Sequence, residues 1–158
     1  MTFLISSLII LPMKFQVLML LFCLAAGCST FERKWKEAGE IPRDGIEGQW
    51  IGRWHSDYNQ HNDKLRCIVT KKNDAIYETL FHAKYTRWII PVSFGYGLDM
   101  NTTRQGGQFQ FVGSADLGSL AGGIYQYTGE GNATMLQFIY RAEMDHGTFY
   151  LKRPPRNK

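Results

Sequence analysis

Long helical patterns are absent from this sequence. No segment of 10–15 residues repeats its apolar side chains with the 3.6-residue period of an amphipathic helix. Parallel sheets need such segments for their crossover connections, so an α/β fold is disfavoured. From Gly48 onward apolar and polar residues alternate instead, which is the two-residue period of half-buried strands.

Cysteine is also scarce, with three in 158 residues. Cys23 lies in an N-terminal apolar run, Cys28 follows that run, and Cys67 lies in the strand-like stretch "LRCIVT". If Cys23 is removed and Cys28 blocked by processing, Cys67 has no partner for an internal disulfide. The fold then depends on its core alone, and Cys67 is predicted to be a buried, inert thiol.

A strong excess of one charge is missing as well. Removal of residues 1–27 takes away Lys14 and no acidic residue, so the formal net charge falls only from +4 to +3. This charge is too small and too scattered for a nucleic-acid surface, and no nucleic-acid partner is predicted.

The N-terminal residues have the order of a secretory signal. Lys14 precedes an apolar run over residues 15–24, which is followed by small residues and then by Cys28. A basic start, a short apolar core and a small-residue cleavage site are features of export signals. We predict that residues 1–27 are a signal peptide, with Met13 as an alternative start.

The ending Ala25-Ala26-Gly27-Cys28 resembles the bacterial lipobox. The resemblance implies cleavage before Cys28 and acylation of that residue with fatty acids such as palmitate, so that the protein is held at a membrane by lipid. Ser29, in place of Asp, implies sorting to the outer membrane of the cell envelope where the organism has one.

The alternative is an uncleaved transmembrane helix over residues 3–27. Lys14 would then lie near its middle, where a lysine costs about 2.5–3.5 kcal/mol on insertion scales. Both interpretations place the remaining chain outside the cytoplasm.

Two further regions follow the signal. Residues 28–47 are charged and end in Pro42 and Gly45, which is typical of a tether with at most a short helix around Phe31 and Trp35. Residues 48–158 are predicted to form the folded domain.

Eight short runs rich in aromatic and β-branched residues, separated by turn signals such as Asn62-Asp63 and Gly106-Gly107, fill that domain. We predict an all-β fold, an eight-stranded antiparallel up-and-down barrel without open edges. A two-sheet sandwich is the alternative.

Both ends of the domain carry a resemblance. Gly48-Gln49-Trp50 and the closing "GTFYLKR" resemble the ends of lipocalin-like (calycin) barrels. The resemblance implies a barrel-closing pair in which Trp50 packs beneath Arg153, or Lys152, as a cation–π contact. The pattern "GxWxGxWxS…H…LRC" is also similar to a group of small bacterial lipoproteins, which implies a location and a fold but no activity.

The leading functional hypothesis is binding of an apolar or amphipathic small molecule inside the barrel. The inward aromatic residues predicted to line that cavity are Trp54, Phe81, Tyr85, Phe94, Tyr125, Phe138 and Tyr140. The same aromatic side chains are numerous enough to fill so short a barrel. The alternative is therefore a filled barrel that serves as an envelope structural or protein-interaction module. Its working surface would be the outer face and loops, with His55, His82, Arg87 and Arg104.

A polar rim is predicted at one barrel mouth, because alternate hairpin turns of an up-and-down barrel gather at the same end. Its residues are Asn59, His61, Arg66 and His146, although the asparagines here are also ordinary turn formers. His82 is predicted to be exposed to solvent on the outer face.

No enzymatic activity, cofactor or metal is predicted. Ser56, Asp145 and His146 include the residue types of a nucleophilic triad, but no Gly-x-Ser-x-Gly elbow is present. The histidines are not spaced at the short intervals that metal sites favour.

Overall fold

The computed structural model describes residues 30–87, 90–119 and 122–155, and the side chains of residues 85–91 lie outside the description. Eight antiparallel strands follow one another around a closed barrel, which confirms the predicted fold and excludes the sandwich. The strands are β1 (Gly48–Ser56), β2 (Asn62–Lys71), β3 (Ile76–Arg87), β4 (Ile90–Gln105), β5 (Gln108–Asp116), β6 (Ile124–Gly131), β7 (Met135–Arg141) and β8 (His146–Lys152).

Pairing of the first strand with the last closes the barrel. Ile51 of β1 lies opposite Lys152 of β8, and the ladder continues to Ser56 opposite Gly147. The upper end of the barrel carries the β1–β2, β3–β4, β5–β6 and β7–β8 connections. The lower end carries the other three connections together with the chain entry into β1 and its exit from β8.

The first turn lies earlier than its sequence signal. Asn62-Asp63 was expected to be a turn, but these residues begin β2, and the connection is formed by residues 57–61. The side-chain oxygen of Asn59 accepts a hydrogen bond from the backbone N–H of His61, and Gln60 has a left-handed φ of 62°. Asn59 therefore supplies the turn chemistry that the sequence analysis assigned to Asn62.

Strand alternation fills the barrel interior. Trp50 and Trp54 share the inner face of β1, as predicted, and Arg53 between them is exposed. The buried side chains of the main core are Ile46, Trp50, Leu65, Cys67, Val69, Tyr77, Phe81, Leu98, Met100, Phe109, Phe111, Tyr127, Leu136, Phe138, Tyr140, Phe149 and Leu151.

Glycine at position 129 makes room for one of these rings. A Cβ atom there would lie 2.2 Å from Cδ1 of Phe138, closer than side chains tolerate. Gly129 faces Phe138 across the β6–β7 ladder. The absence of a side chain on β6 thus allows the Phe138 ring to occupy the inner face of that strand.

A helix over residues 30–38 covers part of the outer surface. Its buried Phe31 and Ala38 pack against Ile68 of β2, and the partly buried Trp35, Ile41 and Leu80 complete this small outer cluster. The region expected to act as a tether is therefore packed against the barrel from residue 30 onward. Among the described residues, no helix combines the length and apolar character needed to span a bilayer.

Candidate functional site

Trp50 and Arg153 meet at the lower end of the barrel. The guanidinium carbon of Arg153 lies 3.9 Å from the centroid of the fully buried Trp50 ring. The indole N–H of Trp50 donates to the carbonyl oxygen of Ile46 at 2.8 Å, which fixes the orientation of the ring beneath the guanidinium. A cation over an indole face is stabilising by about 0.5–2 kcal/mol.

Arg153 also binds the backbone that enters β1. Its Nη1 donates to the carbonyl of Glu47 at 2.8 Å, its Nη2 to the carbonyl of Gly45, and its Nε to that of Ala133 at 3.1 Å. Burial, with a smaller contribution from the Arg43 charge, lowers the pKa of Arg153 to about 10. The guanidinium therefore remains charged at neutral pH and seals this end.

Rings occupy the middle of the barrel. Phe81 is fully buried and its centroid lies 5.1–6.1 Å from the centroids of four other aromatic rings. The rings around Phe81 are Tyr96, Tyr127, Phe138 and Phe149. Such spacing is that of direct ring contacts, so side chains fill this level of the interior.

The seven residues predicted to line a cavity differ in burial according to their position along the barrel axis. Phe81, Phe138 and Tyr140 are deep in the packed core. Trp54 and Tyr125 are only partly buried. Phe94 is 38% exposed on the same face of β4 as Tyr96, and their rings are 5.6 Å apart. The side chain of Tyr85 lies outside the described residues, although its backbone pairs with that of Val92.

Tyrosine hydroxyls face each other inside the barrel. Tyr127 donates to the Tyr96 hydroxyl at 2.8 Å. Burial raises the pKa of Tyr96, Tyr127 and Tyr140 well above the ordinary value, so these phenols stay neutral. The core accommodates these polar groups through hydrogen bonds, one between Tyr127 and Tyr96 and one from Tyr140 to Asp145.

A second polar cluster holds the upper end. The hydroxyl of buried Ser56 donates to Asp145 at 2.6 Å, and the Tyr140 hydroxyl donates to the other carboxylate oxygen at 3.3 Å. Ser56 Oγ also accepts the backbone N–H of Asn59 at 3.3 Å. Ser56 thus contacts Asp145 directly, with no histidine between them. This network ties the β1–β2 turn to the β7–β8 turn.

Three of the four predicted rim residues lie at this upper end. Asn59 and His61 belong to the β1–β2 turn, where the His61 ring meets the Trp54 ring edge-on with centroids 5.8 Å apart. His146 begins β8 and is exposed. The prediction for Arg66 is wrong, because Arg66 alternates with inward-facing Leu65 and Cys67 and so projects from the outer face of β2.

Arg66 joins the helix to the barrel. Its guanidinium forms two hydrogen bonds with the Glu32 carboxylate, one of them at 3.0 Å. The same group lies 4.9 Å from the Phe31 ring centroid and 5.0 Å from that of Trp35. Arg66, mainly through its hydrogen bonds, lowers the pKa of Glu32. One side chain on β2 therefore contacts the first two turns of the helix.

His82 is part of this junction, and the expectation that it would be exposed is wrong. It is only 5% exposed because the Phe31 ring stacks on it with centroids 4.4 Å apart. Arg66 Nη2 lies 3.3 Å from His82 Nδ1, and Ser93 Oγ lies 2.7 Å from Nε2. Since guanidinium only donates, Nδ1 accepts and the proton is on Nε2, which donates to Ser93. A histidine in this tautomer does not activate that serine.

This junction was not predicted from the sequence, although one signal for it was present. Phe31, Trp35 and Ala38 are spaced at i, i+4 and i+7, which places them on one face of a short helix. The outer alternation of β2 and β3 gave no indication that a distant segment would cover it.

Exposed apolar residues lie on the opposite side of the barrel. Val112 of β5 and Met135 and Ile139 of β7 are 57%, 51% and 43% exposed. Val112 and Ile139, across Thr128, border an open cleft of about 410 Å³. We call Val112, Met135 and Ile139 the apolar outer face.

Comparison with known proteins adds little to this description. No protein-family profile matches the sequence, and no curated protein matches it. Among solved structures, a redesigned β-barrel is similar over 70% of this chain and 92% of its own, with 11% identity and a TM-score of 0.47. Within the described part of the chain, no group of three or more His, Cys, Asp or Glu side chains is arranged to hold a metal ion.

Proposed function

We propose that this protein is a lipid-anchored scaffold of the bacterial cell envelope, held at the outer membrane through Cys28, whose filled barrel presents its outer face to a protein partner. The observation that carries this proposal is the packing around Phe81. A protein that carries a small molecule inside its barrel needs a cavity at the level where Phe81 and its four neighbouring rings lie. Small barrels whose interior is filled by side chains have a packed core in place of such a cavity.

The apolar outer face supports a protein partner. Its three side chains are exposed on strands that no helix covers in the described chain, and Val112 and Ile139 border one cleft. Exposed apolar patches of this kind mark interaction surfaces more often than isolated apolar residues do. The lipobox-like sequence that ends in Cys28 supports the anchor, and the contact between Trp50 and Arg153 is the closing pair that the resemblance to lipocalin-like barrels implies.

A second function is favoured by one observation at the upper mouth. Phe94 is exposed on the inner face of β4, and the partly buried rings of Trp54 and Tyr125 lie at the same end. A shallow aromatic mouth above the filled core would suit an amphipathic small molecule that inserts only its tip.

Native mass spectrometry of the full chain, extracted from membranes of an expressing bacterium, separates these functions. The scaffold proposal expects a mass that includes acyl chains on Cys28 and no bound small molecule. A bound molecule that is lost on Trp54→Arg would establish the second function instead.

Photo-crosslinking in intact cells tests the working surface. A photoreactive side chain at Ile139 is expected to yield one adduct of defined mass, and the same group at exposed Thr70, on the outer face of β2, is expected to yield none. Equal crosslinking at Ile139 and Thr70, or none at either, contradicts a partner at the apolar outer face.

A further inference from the structure

The described part of the helix starts at Thr30, two residues after Cys28. The Cα atom of Cys28 therefore lies within about 8 Å of that of Thr30 in any backbone conformation. An acyl chain at Cys28 would therefore leave the protein beside the start of this helix. A spacer of that length cannot hold the barrel away from a bilayer.

The start of the helix has a fixed place on the barrel. Phe31 stacks on His82 of β3, and Glu32 binds Arg66 of β2. Farther along, the side-chain amide of Gln49 in β1 donates to the backbone carbonyl of Trp35 at 2.7 Å. The helix thus runs from the middle of β3 toward the lower end of β1, with its first turn directed toward the upper half of the barrel.

Three cations lie in one row beside that first turn. Arg53 of β1 is opposite Lys64 of β2, and Lys64 is opposite Lys84 of β3. All three are exposed on the outer face, and Lys84 is two residues from the His82 that supports Phe31. Neighbouring strands are about 4.8 Å apart, so the three charged groups share a short arc.

The Glu32 carboxylate lies near enough to Lys84 for that charge to lower its pKa, but Glu32 is bonded to Arg66 and forms no ion pair with Lys84. The ion pairs formed by the described residues include neither Lys64 nor Lys84. Asp63, the nearest acid in β2, lies on the opposite face of that strand by alternation. Like charges directly opposite in a ladder destabilise a sheet, so this row favours an external anion.

We infer that the barrel lies directly on the bilayer, with the row of Arg53, Lys64 and Lys84 against anionic lipid headgroups. This inference rests on the proposed acylation of Cys28. The acylated Cys28 and the basic row then contact the membrane from the same side of the barrel, and the row adds electrostatic attraction to an anionic surface. The apolar outer face, centred on β7 and four strands from β3, is thereby directed away from the membrane.

Fluorescence quenching in vesicles tests the orientation. The full chain is expressed, extracted from membranes, labelled at Lys64→Cys or at Glu130→Cys, and placed in phosphatidylcholine vesicles that carry a headgroup spin label. Glu130 is an exposed residue of β6, on the opposite side of the barrel from β2, and is the matched control. Buried Cys67 is shielded from the label.

The label at position 64 is expected to be quenched several-fold more than the label at position 130. Added phosphatidylglycerol should increase the difference, and Lys84→Glu should reduce it, whereas Lys152→Glu, on the outer face of β8, should leave it unchanged.

Equal quenching at the two positions on an acylated protein overturns the orientation and leaves the anchor in place. If the difference in quenching between positions 64 and 130 changes neither with added phosphatidylglycerol nor with Lys84→Glu, the role of the basic row is overturned. An unmodified Cys28, seen by mass spectrometry of the same sample, overturns the anchor and the orientation together.

Discussion

The Arg153 guanidinium stacks on the Trp50 ring and joins the exit of β8 to the entry of β1. The same group binds the carbonyls of Gly45, Glu47 and Ala133, so it ties together three segments that are far apart in sequence. This arrangement makes Arg153 the residue at the lower end whose loss should cost most.

Arg153→Met is expected to lower the free energy of unfolding by about 2–3 kcal/mol, because a cation–π contact and charged hydrogen bonds are lost together. Arg153→Lys should recover only part of that loss, since an ammonium lacks the planar fork. Urea unfolding followed by tryptophan fluorescence measures both. The neighbouring Lys152→Met, on the outer face, should change the value by less than about 0.5 kcal/mol. Equal effects of the two methionine substitutions would contradict the sealing role.

Gly129→Ala is expected to destabilise the fold by about 1–3 kcal/mol, since its methyl group would overlap the Phe138 ring. Gly107→Ala is the matched control, because a Cβ atom there has no neighbour within 4 Å. Thermal unfolding of both variants measures the difference. Phe138→Leu, added to Gly129→Ala, should relieve the overlap. If the double variant is no better than the sum of the single changes, the overlap is not the cause.

Ser56→Ala should destabilise the upper end by about 1–3 kcal/mol, because it removes a buried donor and leaves Asp145 with a weaker partner. Ser114→Ala, on the exposed outer face of β5, is the control. Amide hydrogen exchange should become faster in the 57–61 and 142–145 turns of the Ser56 variant alone. Unchanged exchange in these turns would show that the network does not hold them.

Stability should depend on pH through His82. Burial, followed by the charges of Arg66 and Lys84, lowers the pKa of His82 from 6.5, and Glu32 opposes this only weakly. The unfolded chain therefore takes up a proton near pH 6.5 that the folded chain takes up only at lower pH. The free energy of unfolding must then fall as the pH drops below about 6.5.

His82→Gln is expected to flatten the unfolding free energy between about pH 7 and pH 5, since the group with the shifted pKa is gone. His146→Gln, at an exposed position, is the control and should keep the wild-type profile. Urea unfolding across the pH series supplies the comparison. Parallel profiles for wild type and His82→Gln would contradict the assignment.

The barrel was predictable because strand alternation is a local property. Trp50 and Trp54 are four residues apart, which is two periods of the strand pleat. Their side chains therefore lie on the same face of β1 independently of tertiary contacts. The same rule placed His82 on the outer face, and applied to β2 it places Arg66 there too, although Arg66 was predicted at the rim. Alternation does not show what covers that face. Glu32, which binds Arg66, is 34 residues away in sequence, so the burial of His82 depends on a tertiary contact.

The question of a cavity could not be decided from alternation either. Phe81 and Phe94 both point inward by the two-residue period, yet one is fully buried and the other is substantially exposed. Their difference comes from height along the barrel, which depends on the stagger of neighbouring strands. The sequence carries that stagger only indirectly, in the lengths of strands and turns.

Barrel closure also determines an order of events during synthesis. Consecutive strands pair as hairpins, but β1 can pair with β8 only after the last strand has emerged. In a chain delivered N-terminus first, one edge of β1 therefore remains unpaired until Lys152 is available. The contact between Trp50 and Arg153 is also absent during this interval. During that interval the free edge of β1 can pair with a strand of another molecule. The residues of β8 therefore determine when this route to aggregation closes.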